Sequence, residues 1–382
     1  MSNAFLVEPD VGFIKEVAKL GGQDLKKCYQ CATCSVACPI SPDNKPFPRK
    51  EMLAMSWGLK DRLVGNGDIW LCHNCGDCTS RCPRGAKPGD VLAAIRAYAV
   101  SEYATPKFLG KAINDPSKLL VLAAIPVAIF LVVGLLLKMF GIHWLNFAPT
   151  GEEIWQASYI ANYLVDIIMI PTFFFAVGVF ALGLKRFIAD MHANALLEGK
   201  TTQQKIDPAG FVQAIVKVLP TIAKHSRFSE CGENKDRATP HMMVLYGFIG
   251  LFIVTNCFFI AEWVLHIEGP YTQLSPVKWL GNLGGIALLI GGGLMLAKRL
   301  NQKDQVSAYK DWYLLGLVLV LGGSGLLTEM LRLGHMHGLM ILVYVVHLIA
   351  VWMLFAYTPF SKLAHLVYRT VAMAYQEYSG RK

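Results

Sequence analysis

The chain has 382 residues, of which 54% are hydrophobic and only 16% are charged, and its mean hydropathy is +0.41. A soluble protein carries about 25% charged residues, so the composition excludes an ordinary soluble protein and indicates a membrane protein. The formal net charge is +9. Because the basic residues flank long apolar runs, we expect a lipid bilayer as partner and no nucleic acid.

Two copies of one cysteine motif lie near the amino terminus. Each copy has three closely spaced cysteines, a fourth one turn later and a following proline: Cys28, Cys31, Cys34, Cys38 and Pro39, then Cys72, Cys75, Cys78, Cys82 and Pro83. This spacing is typical of 4Fe–4S sites, and in two-cluster ferredoxins the fourth cysteine binds the other cluster. We therefore assign cluster 1 to Cys28, Cys31, Cys34 and Cys82, and cluster 2 to Cys38, Cys72, Cys75 and Cys78.

Other uses of these cysteines fit the spacing poorly. A structural zinc site takes four ligands in two pairs and needs no third close cysteine. A disulfide framework implies an oxidising compartment, and no signal-peptide pattern precedes residue 28. Covalent haem attachment needs a histidine after the second cysteine, which neither Cys31 nor Cys75 has. Cys231 and Cys257 lack partners at this spacing and are predicted to be ordinary thiols.

Residues 1–118 are predicted to form a cytoplasmic, ferredoxin-like domain with two 4Fe–4S clusters. Apolar residues at helical spacing predict helices over Val11–Leu20 and Lys50–Leu63, and Pro88 is expected to open another. Few β-branched residues flank the cysteines, so we predict no strands. The predicted fold class is all-α.

The remaining residues, 119–382, contain six apolar stretches, each close to the ~20 residues that span a bilayer as a helix. They are Leu119–Phe140, Tyr159–Leu184, Met242–Val264, Trp279–Ala297, Trp312–Met330 and Leu339–Tyr357. A buried core helix of a soluble protein is rarely so long and so uniformly apolar. We predict a transmembrane bundle of six helices.

The distribution of Lys and Arg predicts the topology. Three segments are basic: 185–241 holds nine of these residues, 298–311 holds four and 359–382 holds four. Segments 142–161 and 266–277 hold none. Basic loops stay on the cytoplasmic side, so both termini and the iron–sulfur domain are predicted to face the cytoplasm from a multi-pass protein of the inner membrane. Within 185–241, Asp207-Pro208 predicts a helix start, leading to either an interfacial amphipathic helix or a plain connector.

Histidines inside a membrane are costly and indicate function. His347 lies within the sixth stretch and His365 follows five helical turns later, about 27 Å along a helix axis. His241 begins the third stretch at the depth of His365. Since a bis-histidine haem b needs one imidazole on each face of the iron, His241 and His365 are predicted to bind a proximal haem. His347 and His337 are predicted to bind a distal haem.

The other histidines are expected to have no ligand role. His335 and His266 lie near the distal end and are expected to be packing residues. Three histidines are predicted to lie on the surface or in cytosolic loops: His73, His192 and His225. His143 is predicted to lie at the outer membrane interface.

Acidic residues near the ends of the apolar stretches suggest where a quinone binds. Such a site needs hydrogen-bonding groups and a route for protons. Asp166, Glu262 and Glu329 lie near stretch ends, and Glu329 is three residues before Arg332. We take Glu329, Arg332 and Asp166 as quinone-site candidates. The alternative for Glu329 and Arg332 is a helix-end ion pair.

The doubled cysteine motif resembles the C subunit of heterodisulfide reductase. The stretch from His347 to Pro359-Phe-Ser-Lys-Leu-Ala-His365 looks like the last helix of the cytochrome b (gamma) subunit of respiratory nitrate reductase. Fused in this order and length, the chain resembles the membrane subunits of quinone-interacting membrane-bound oxidoreductases of sulfate-reducing bacteria. In the nitrate reductase family, the helix matching Met242–Val264 carries two haem histidines ten residues apart. Here His241 matches the first, and Leu251 stands at the second.

This resemblance implies a membrane-anchoring electron-transfer subunit. It would exchange electrons between menaquinone and cytoplasmic flavin/iron–sulfur proteins resembling the A subunit of heterodisulfide reductase, through one or two haems b and two 4Fe–4S clusters. Adenylylsulfate reductase, in sulfate respiration, is the implied downstream partner. One alternative is a membrane anchor for a soluble iron–sulfur enzyme, with the histidines as packing residues. Others are a heterodisulfide-reductase-type quinol oxidoreductase subunit of another pathway, or an ion translocator, for which only Asp166 approaches the required intramembrane charge.

Overall fold

The computed structural model describes residues 8–150, 153–233, 235–301 and 306–381. Over these ranges the chain is helical, as predicted, and its only β pairing is one isolated bridge between Leu145 and Ile160. The helices are α1 Val11–Val17, α2 Thr33–Val36, α3 Arg49–Ser56, α4 Lys60–Val64, α5 Asp68–Leu71, α6 Asp77–Ser80, α7 Pro88–Tyr103, α8 Lys107–Ile113, α9 Leu119–Met139, α10 Gln156–Tyr159, α11 Asn162–Leu197, α12 Pro208–Lys224, α13 Ala238–Trp263, α14 Pro276–Asn301, α15 Tyr309–Leu333, α16 His337–Tyr357 and α17 His365–Tyr378.

The helices predicted around the cysteines exist, but two differ in form. The first remains α-helical only to Val17 and continues as a wider π-helical turn over Ala18–Gly22. The helix predicted over Lys50–Leu63 is two helices, α3 and α4, because the chain turns at Gly58 with φ +66°. The carbonyl of Gly58 accepts a hydrogen bond from the backbone N–H of Asp10 at 2.9 Å, which holds the start of α1 against this turn.

In the described part of the chain, six helices are long and apolar enough to cross a membrane, which confirms the predicted number. Five of them lie within a few residues of the predicted stretches. The exception is α11, which runs to Leu197 instead of Leu184. Its 36 residues extend about 54 Å, well beyond a hydrocarbon core of about 30 Å. The extra turns leave the bundle and bury Phe187, Met191 and Ala195 against the iron–sulfur region.

One hydrophobic core joins the iron–sulfur region to the carboxy-terminal part of the chain. Trp70 stacks on Tyr368 of α17 with ring centroids 5.1 Å apart, and its edge contacts Phe187 of α11 at 6.0 Å. Tyr103 of α7 packs edge-on against Phe187 at 5.5 Å. The predicted domains 1–118 and 119–382 therefore share a core, so the iron–sulfur region has a fixed position on the helical bundle.

Helix α12 begins as predicted, because the carboxylate of Asp207 accepts hydrogen bonds from the N–H groups of Ala209 and Gly210. One face is buried in the shared core, through Phe211, Ala214 and Val218. A second apolar row is exposed, through Val212, Val216 and Leu219. Because its buried face is part of the core, α12 is a packing element and more than a connector. Its exposed row suits the interfacial position that was the first interpretation.

A buried ionic cluster reinforces this junction. Asp68 of α5 is 1% exposed and pairs with Lys50 at 2.7 Å, Lys200 at 3.0 Å and Arg381. Burial alone would raise the pKa of Asp68, but the charges of Lys200, Lys50 and Arg381 hold that pKa well below its usual range. One carboxylate thus ties together α3, α5, the segment after α11 and the end of the chain.

Candidate functional site

The first iron–sulfur site brings both cysteine motifs together. Cys28, Cys31 and Cys34 line one small cavity with Cys82 of the second motif, and these are the four residues that the sequence assigns to cluster 1. Gln30 and Ala32, between the close cysteines, have φ of +66° and +70°. These left-handed residues curl the loop around the cavity. Cys31 is exposed, so this site lies at the surface.

The second iron–sulfur site lies deeper. Cys78 is only 8% exposed, and burial together with the charges of Cys72, Cys75 and Cys38 raises its pKa. Burial also raises the pKa of Cys38 to about 12, and charge on Cys72 and Cys75 adds to the effect. The fourth cysteine of the first motif therefore lies beside the three close cysteines of the second, and these are the four residues that the sequence assigns to cluster 2.

Two arginines and a histidine surround the start of the second motif. Arg96 donates to the carbonyl oxygens of Ile69 and Cys72 at 2.7 and 3.1 Å. Arg369 lies 2.5 Å from Nε2 of His73. His73, predicted to lie on the surface or in a cytosolic loop, is a half-buried residue of the loop between α5 and α6, and its Nδ1 is buried with no partner among the described residues. Burial and the charge of Arg369 lower the pKa of His73 to about 2, so it is neutral.

A large cavity of about 940 Å³ runs from this point into the helical bundle. Its volume is at the upper end of the range of about 300–1,000 Å³ for ligand pockets. Cys72 and His73 line one end, which we call the cluster end, and Lys278 and Glu329 line the other, which we call the far end. Besides His73, three histidines line it: His241, His347 and His365. Most of the remaining lining is apolar.

His241 and His365 face each other across the cavity. Their ring centroids are 6.1 Å apart and their planes are inclined by 77°. Because an imidazole nitrogen binds a metal at about 2 Å, two axial imidazoles on one metal have their ligating nitrogens about 4 Å apart, with centroids somewhat further. The observed separation fits a single iron between the two rings.

The hydrogen bonds of this pair fix which nitrogen is available. Nδ1 of His365 lies 2.7 Å from the carbonyl oxygen of Lys362, and Nδ1 of His241 lies 2.6 Å from Nε2 of His225. In the described part of the chain, neither Nε2 atom has a hydrogen-bond partner. Burial lowers the pKa of His365 to about 3, so it is the neutral imidazole that metals bind. The donor set therefore fits a bis-histidine haem b.

His225, predicted to lie on the surface or in a cytosolic loop, lies in segment 185–241 and is half-buried there. It ends α12 with φ +51° and lies between His241 and Phe228, whose ring it stacks on with centroids 5.3 Å apart. Phe228 in turn contacts His73, with centroids 5.5 Å apart. The segment after α12 thus fills the space between the second iron–sulfur site and the histidine pair.

The predicted distal pair, His347 and His337, is wrong. Both residues are on α16, and ten residues of helix separate them by about 15 Å along the axis, too far to bind one iron. His337 also does not line the cavity, whereas Leu251 does. Nδ1 of His347 lies 2.9 Å from Ser324 Oγ. A Cβ at Gly325 would lie 3.0 Å from the His347 ring, so this glycine makes room for it.

The quinone-site candidates are separated by the structure. Glu329 lines the far end and pairs with Arg332 at 2.8 Å and Lys278 at 3.0 Å, so the predicted ion pair exists. Arg332 and Asp166 do not line the cavity. Asp166 instead accepts a hydrogen bond from Trp263 Nε1 at 2.7 Å.

The remaining histidines lie away from the cavity. His143 is exposed, and so are the turn residues His266 and His335, both with positive φ. His192 is half-buried, with Nδ1 2.7 Å from the Tyr375 hydroxyl, so it packs in the junction rather than on the cytosolic surface. Cys231, predicted to be an ordinary thiol, lies next to Cys75 and Asp77. Its local sequence carries no signal of this, because its neighbours are far away along the chain.

Two family models match separate parts of the chain. Residues 24–86 match the 4Fe–4S dicluster domain, and residues 219–381 match citrate utilization protein B. The chain therefore contains an iron–sulfur domain similar to the C subunit of heterodisulfide reductase, followed by a membrane-type helical region similar to citrate utilization protein B. This combination is consistent with a subunit of a membrane-associated oxidoreductase that transfers electrons.

Particular relatives support each part. The C subunit of the H(2):CoB-CoM heterodisulfide,ferredoxin reductase of Methanothermobacter marburgensis is 34% identical over 87 residues, covering 23% of this chain and 47% of the relative. A protein of Archaeoglobus profundus that is similar to the C subunit of heterodisulfide reductase is 34% identical over 89 residues, with the same 23% and 47% coverage. The chain thus spans about half the length of these relatives. Citrate utilization protein B of Escherichia coli is 25% identical over 304 residues, covering 74% of this chain and 72% of the relative. No solved structure matches.

Proposed function

We propose that the protein is a membrane-anchored electron-transfer subunit that exchanges electrons between a quinone in the bilayer and partner subunits in the cytoplasm. The observation that carries this proposal is the continuous cavity, which connects Cys72 and His73 to the pair His241 and His365 and then to His347. When bound, haem b and the two 4Fe–4S clusters supply one-electron carriers along this line.

In this proposal His241 and His365 would hold a single haem b through their Nε2 atoms. The propionate groups of haem b are anionic, and the cluster end of the cavity is lined by the cations Arg237, Lys298, Arg299, Lys362 and Arg369. His347 has no second histidine opposite it, because Leu251 occupies the position at which the nitrate reductase family carries one. We therefore assign no distal haem.

The quinone site is proposed at the far end of the cavity. Oxidation of a quinol releases two electrons and two protons, so its hydroxyl groups need hydrogen-bonding partners and a proton acceptor. His347 presents an Nε2 atom without a partner among the described residues, and Lys278 and Glu329 lie along the same wall. Lys278 is positioned to donate to a quinone oxygen. His347 is positioned to accept a proton at Nε2.

The two iron–sulfur sites differ in exposure, which gives the relay an order. Cys78 of the second site is buried, and that site adjoins the cavity through Cys72. Cys31 of the first site is exposed, and so is the nearby Tyr29, at 58%. We propose that cluster 2 exchanges electrons with the haem, and that cluster 1 exchanges electrons with the partner.

The partners are proposed from the resemblance and from the chemistry of the relatives. Flavin/iron–sulfur proteins resembling the A subunit of heterodisulfide reductase would dock at cluster 1, menaquinone would be the membrane substrate, and adenylylsulfate reductase would lie downstream in sulfate respiration. The iron–sulfur region contacts the basic segments 185–241, 298–311 and 359–382 through Lys200, Lys310 and Arg381. By the distribution of basic residues, this side of the bundle is proposed to be cytoplasmic.

The competing function is a membrane anchor in which the histidines only pack. The shared hydrophobic core favours this anchor function, because such a core would hold a docked enzyme rigidly on the membrane region. Purified protein with about eight iron and eight sulfide in its clusters, and with a reduced haem b spectrum, is the expected result. His365→Ala should lose the haem spectrum while it keeps the iron and sulfide, whereas the exposed control His143→Ala should keep both. Purified wild-type protein without haem would refute the quinone part of the proposal.

A further inference from the structure

The short segment after α12 reaches the second iron–sulfur site as well as the histidine pair. Cys231 in this segment is 4% exposed. Its Sγ, the Sγ of Cys75 and a carboxylate oxygen of Asp77 all lie within 4.8 Å of one another. A fifth thiol is therefore buried against a cysteine that we assign to cluster 2.

Backbone hydrogen bonds hold this thiol in place. The carboxylate of Asp77 accepts the N–H of Gly232 at 3.0 Å on one oxygen and the N–H of Glu233 at 2.6 Å on the other. These two residues follow Cys231 directly, and Asp77 is two residues after Cys75. Each carboxylate oxygen thus accepts one backbone N–H, so Asp77 holds the loop that carries Cys231 beside Cys75.

The four ligand positions of cluster 2 are already assigned to Cys38, Cys72, Cys75 and Cys78. Cys231 is therefore left as a neighbour of a ligand, and its side chain shares a hydrogen bond with the side chain of Cys75. Reduction of a cluster adds negative charge to its sulfur atoms. A hydrogen bond to a charged acceptor is stronger than one to a neutral acceptor, so a donor at this point favours the reduced form. Hydrogen bonds to the sulfurs are among the factors that set cluster potentials.

We propose that the thiol of Cys231 donates a hydrogen bond to the Cys75 ligand of cluster 2 and thereby raises the reduction potential of cluster 2 relative to cluster 1. Cys231 is a positioning and tuning residue and not a ligand. The inference rests on the proposed function only for the presence of both clusters. It requires neither haem nor quinone activity.

The segment that carries Cys231 gives this arrangement a structural role in the relay. His225 and Phe228, six and three residues before Cys231, contact His241 and His73. One short stretch of chain therefore positions a group at the haem pair and a group at cluster 2. The potential of the inner cluster and the placement of the haem ligand depend on the same segment.

The experiment is a redox titration of the purified full chain, followed by electron paramagnetic resonance, after iron and sulfide have been counted. The variants are Cys231→Ala, which removes the donor, and Cys231→Ser, which keeps a hydroxyl donor. Cys257→Ala is the matched control, because it removes the other cysteine outside the two motifs. Thr33→Val identifies which midpoint potential belongs to cluster 1, because Thr33 Oγ1 lies 3.2 Å from Cys31 Sγ.

The expected result is that both clusters remain and that one midpoint potential falls in Cys231→Ala. The equilibrium between the reduced and oxidised forms should change about tenfold, which corresponds to about 59 mV for one electron. In Cys231→Ser the midpoint potential of cluster 2 should fall less, and in Cys257→Ala neither midpoint potential should change. Thr33→Val should shift the midpoint potential of cluster 1. Loss of one cluster in Cys231→Ala, or two unchanged midpoints, would overturn the inference. A wild-type protein without two clusters would instead refute the proposed function.

Discussion

Nε2 of His225 lies 2.6 Å from Nδ1 of His241. If Nε2 of His241 binds iron, its Nδ1 carries the proton and donates it to His225, because only one nitrogen of a neutral imidazole is protonated. A partner of this kind fixes the orientation of a ligand ring and raises its basicity. His225 therefore supports one axial ligand of the proposed haem, and the backbone carbonyl of Lys362 supports the other.

Replacement of His225 tests this support. His225→Ala should weaken haem retention about 10–100-fold, the usual cost of removing a partner of a metal ligand, because the His241 ring loses the acceptor that orients it. The haem that the protein retains is measured as the protein is diluted, and the haem midpoint potential is measured in the same variants. His225→Gln, which offers a side-chain oxygen as acceptor, should recover part of the affinity. Equal haem retention in wild type and His225→Ala would contradict the role.

The single-haem assignment predicts different outcomes for two cavity histidines. His241→Ala should abolish the haem b spectrum, because the iron loses one of its two imidazoles. His347→Ala should retain the spectrum and lower quinol turnover at least tenfold, because a proton acceptor contributes about 10²–10⁴-fold to the rate. Haem per chain and turnover with a menaquinol analogue are the measurements. If His347→Ala halves the haem content of the wild type, a second haem is present.

Glu51 predicts a pH dependence of stability. Burial and the charge of Asp68 raise its pKa to about 7, from about 4.3 in an unfolded chain. Between these values the folded chain binds the proton that the unfolded chain has released, so stability falls as pH rises through this window. Glu51→Gln should remove this loss of stability. It should raise the free energy of unfolding at pH 8 by about 1–3 kcal/mol, which is the cost of a poorly paired buried polar group. Thermal unfolding at pH 5 and pH 8 measures it.

The control for Glu51 is Glu16→Gln, which changes a half-exposed carboxylate. That variant should follow the pH profile of the wild type. A Glu51→Gln protein that is less stable than the wild type at pH 8 would show that the ionised Glu51 is stabilised on balance by Lys50, 3.5 Å away, and would contradict the prediction.

Gly65 predicts how tightly the iron–sulfur region sits on α11. A Cβ at this position would lie 2.7 Å from Asn194 Nδ2 and 2.8 Å from the Cβ of Asp190. Gly65→Ala should therefore force the two parts of the chain to separate locally, at a cost of about 1–3 kcal/mol. Gly316→Ala is the control, because nothing lies within 4 Å of its added Cβ. Equal melting temperatures for the two variants would mean that this contact does not hold the junction.

The sequence predicted the parts of the molecule that follow local rules. The cysteine spacing led to the crossed arrangement, because the reach of three close cysteines and a fourth one turn later is a property of a short loop. The six long helices were found for the same reason, since an apolar stretch either spans a bilayer or does not. The end of α11 was misplaced because Lys185 and Arg186 end the apolar stretch without ending the helix.

The missed residues act over long distances along the chain. The sequence around His73, His225 and Cys231 predicts ordinary residues of cytosolic segments, since nothing beside them in sequence shows that Arg369, His241 and Cys75 lie against them. The distal pair failed for a different reason. Depth in the membrane alone pairs His337 with His347, although one helix cannot place residues ten positions apart on two faces of one iron.

The most direct test of the central claim is the reoxidation of chemically reduced protein by a menaquinone analogue. The reaction is followed at haem and cluster wavelengths in wild type and in His365→Ala, both with a full complement of iron and sulfide. The account predicts that wild-type clusters are reoxidised together with the haem, and that clusters in His365→Ala stay reduced on that timescale. Cluster reoxidation at the wild-type rate in His365→Ala would contradict electron transfer through the histidine pair.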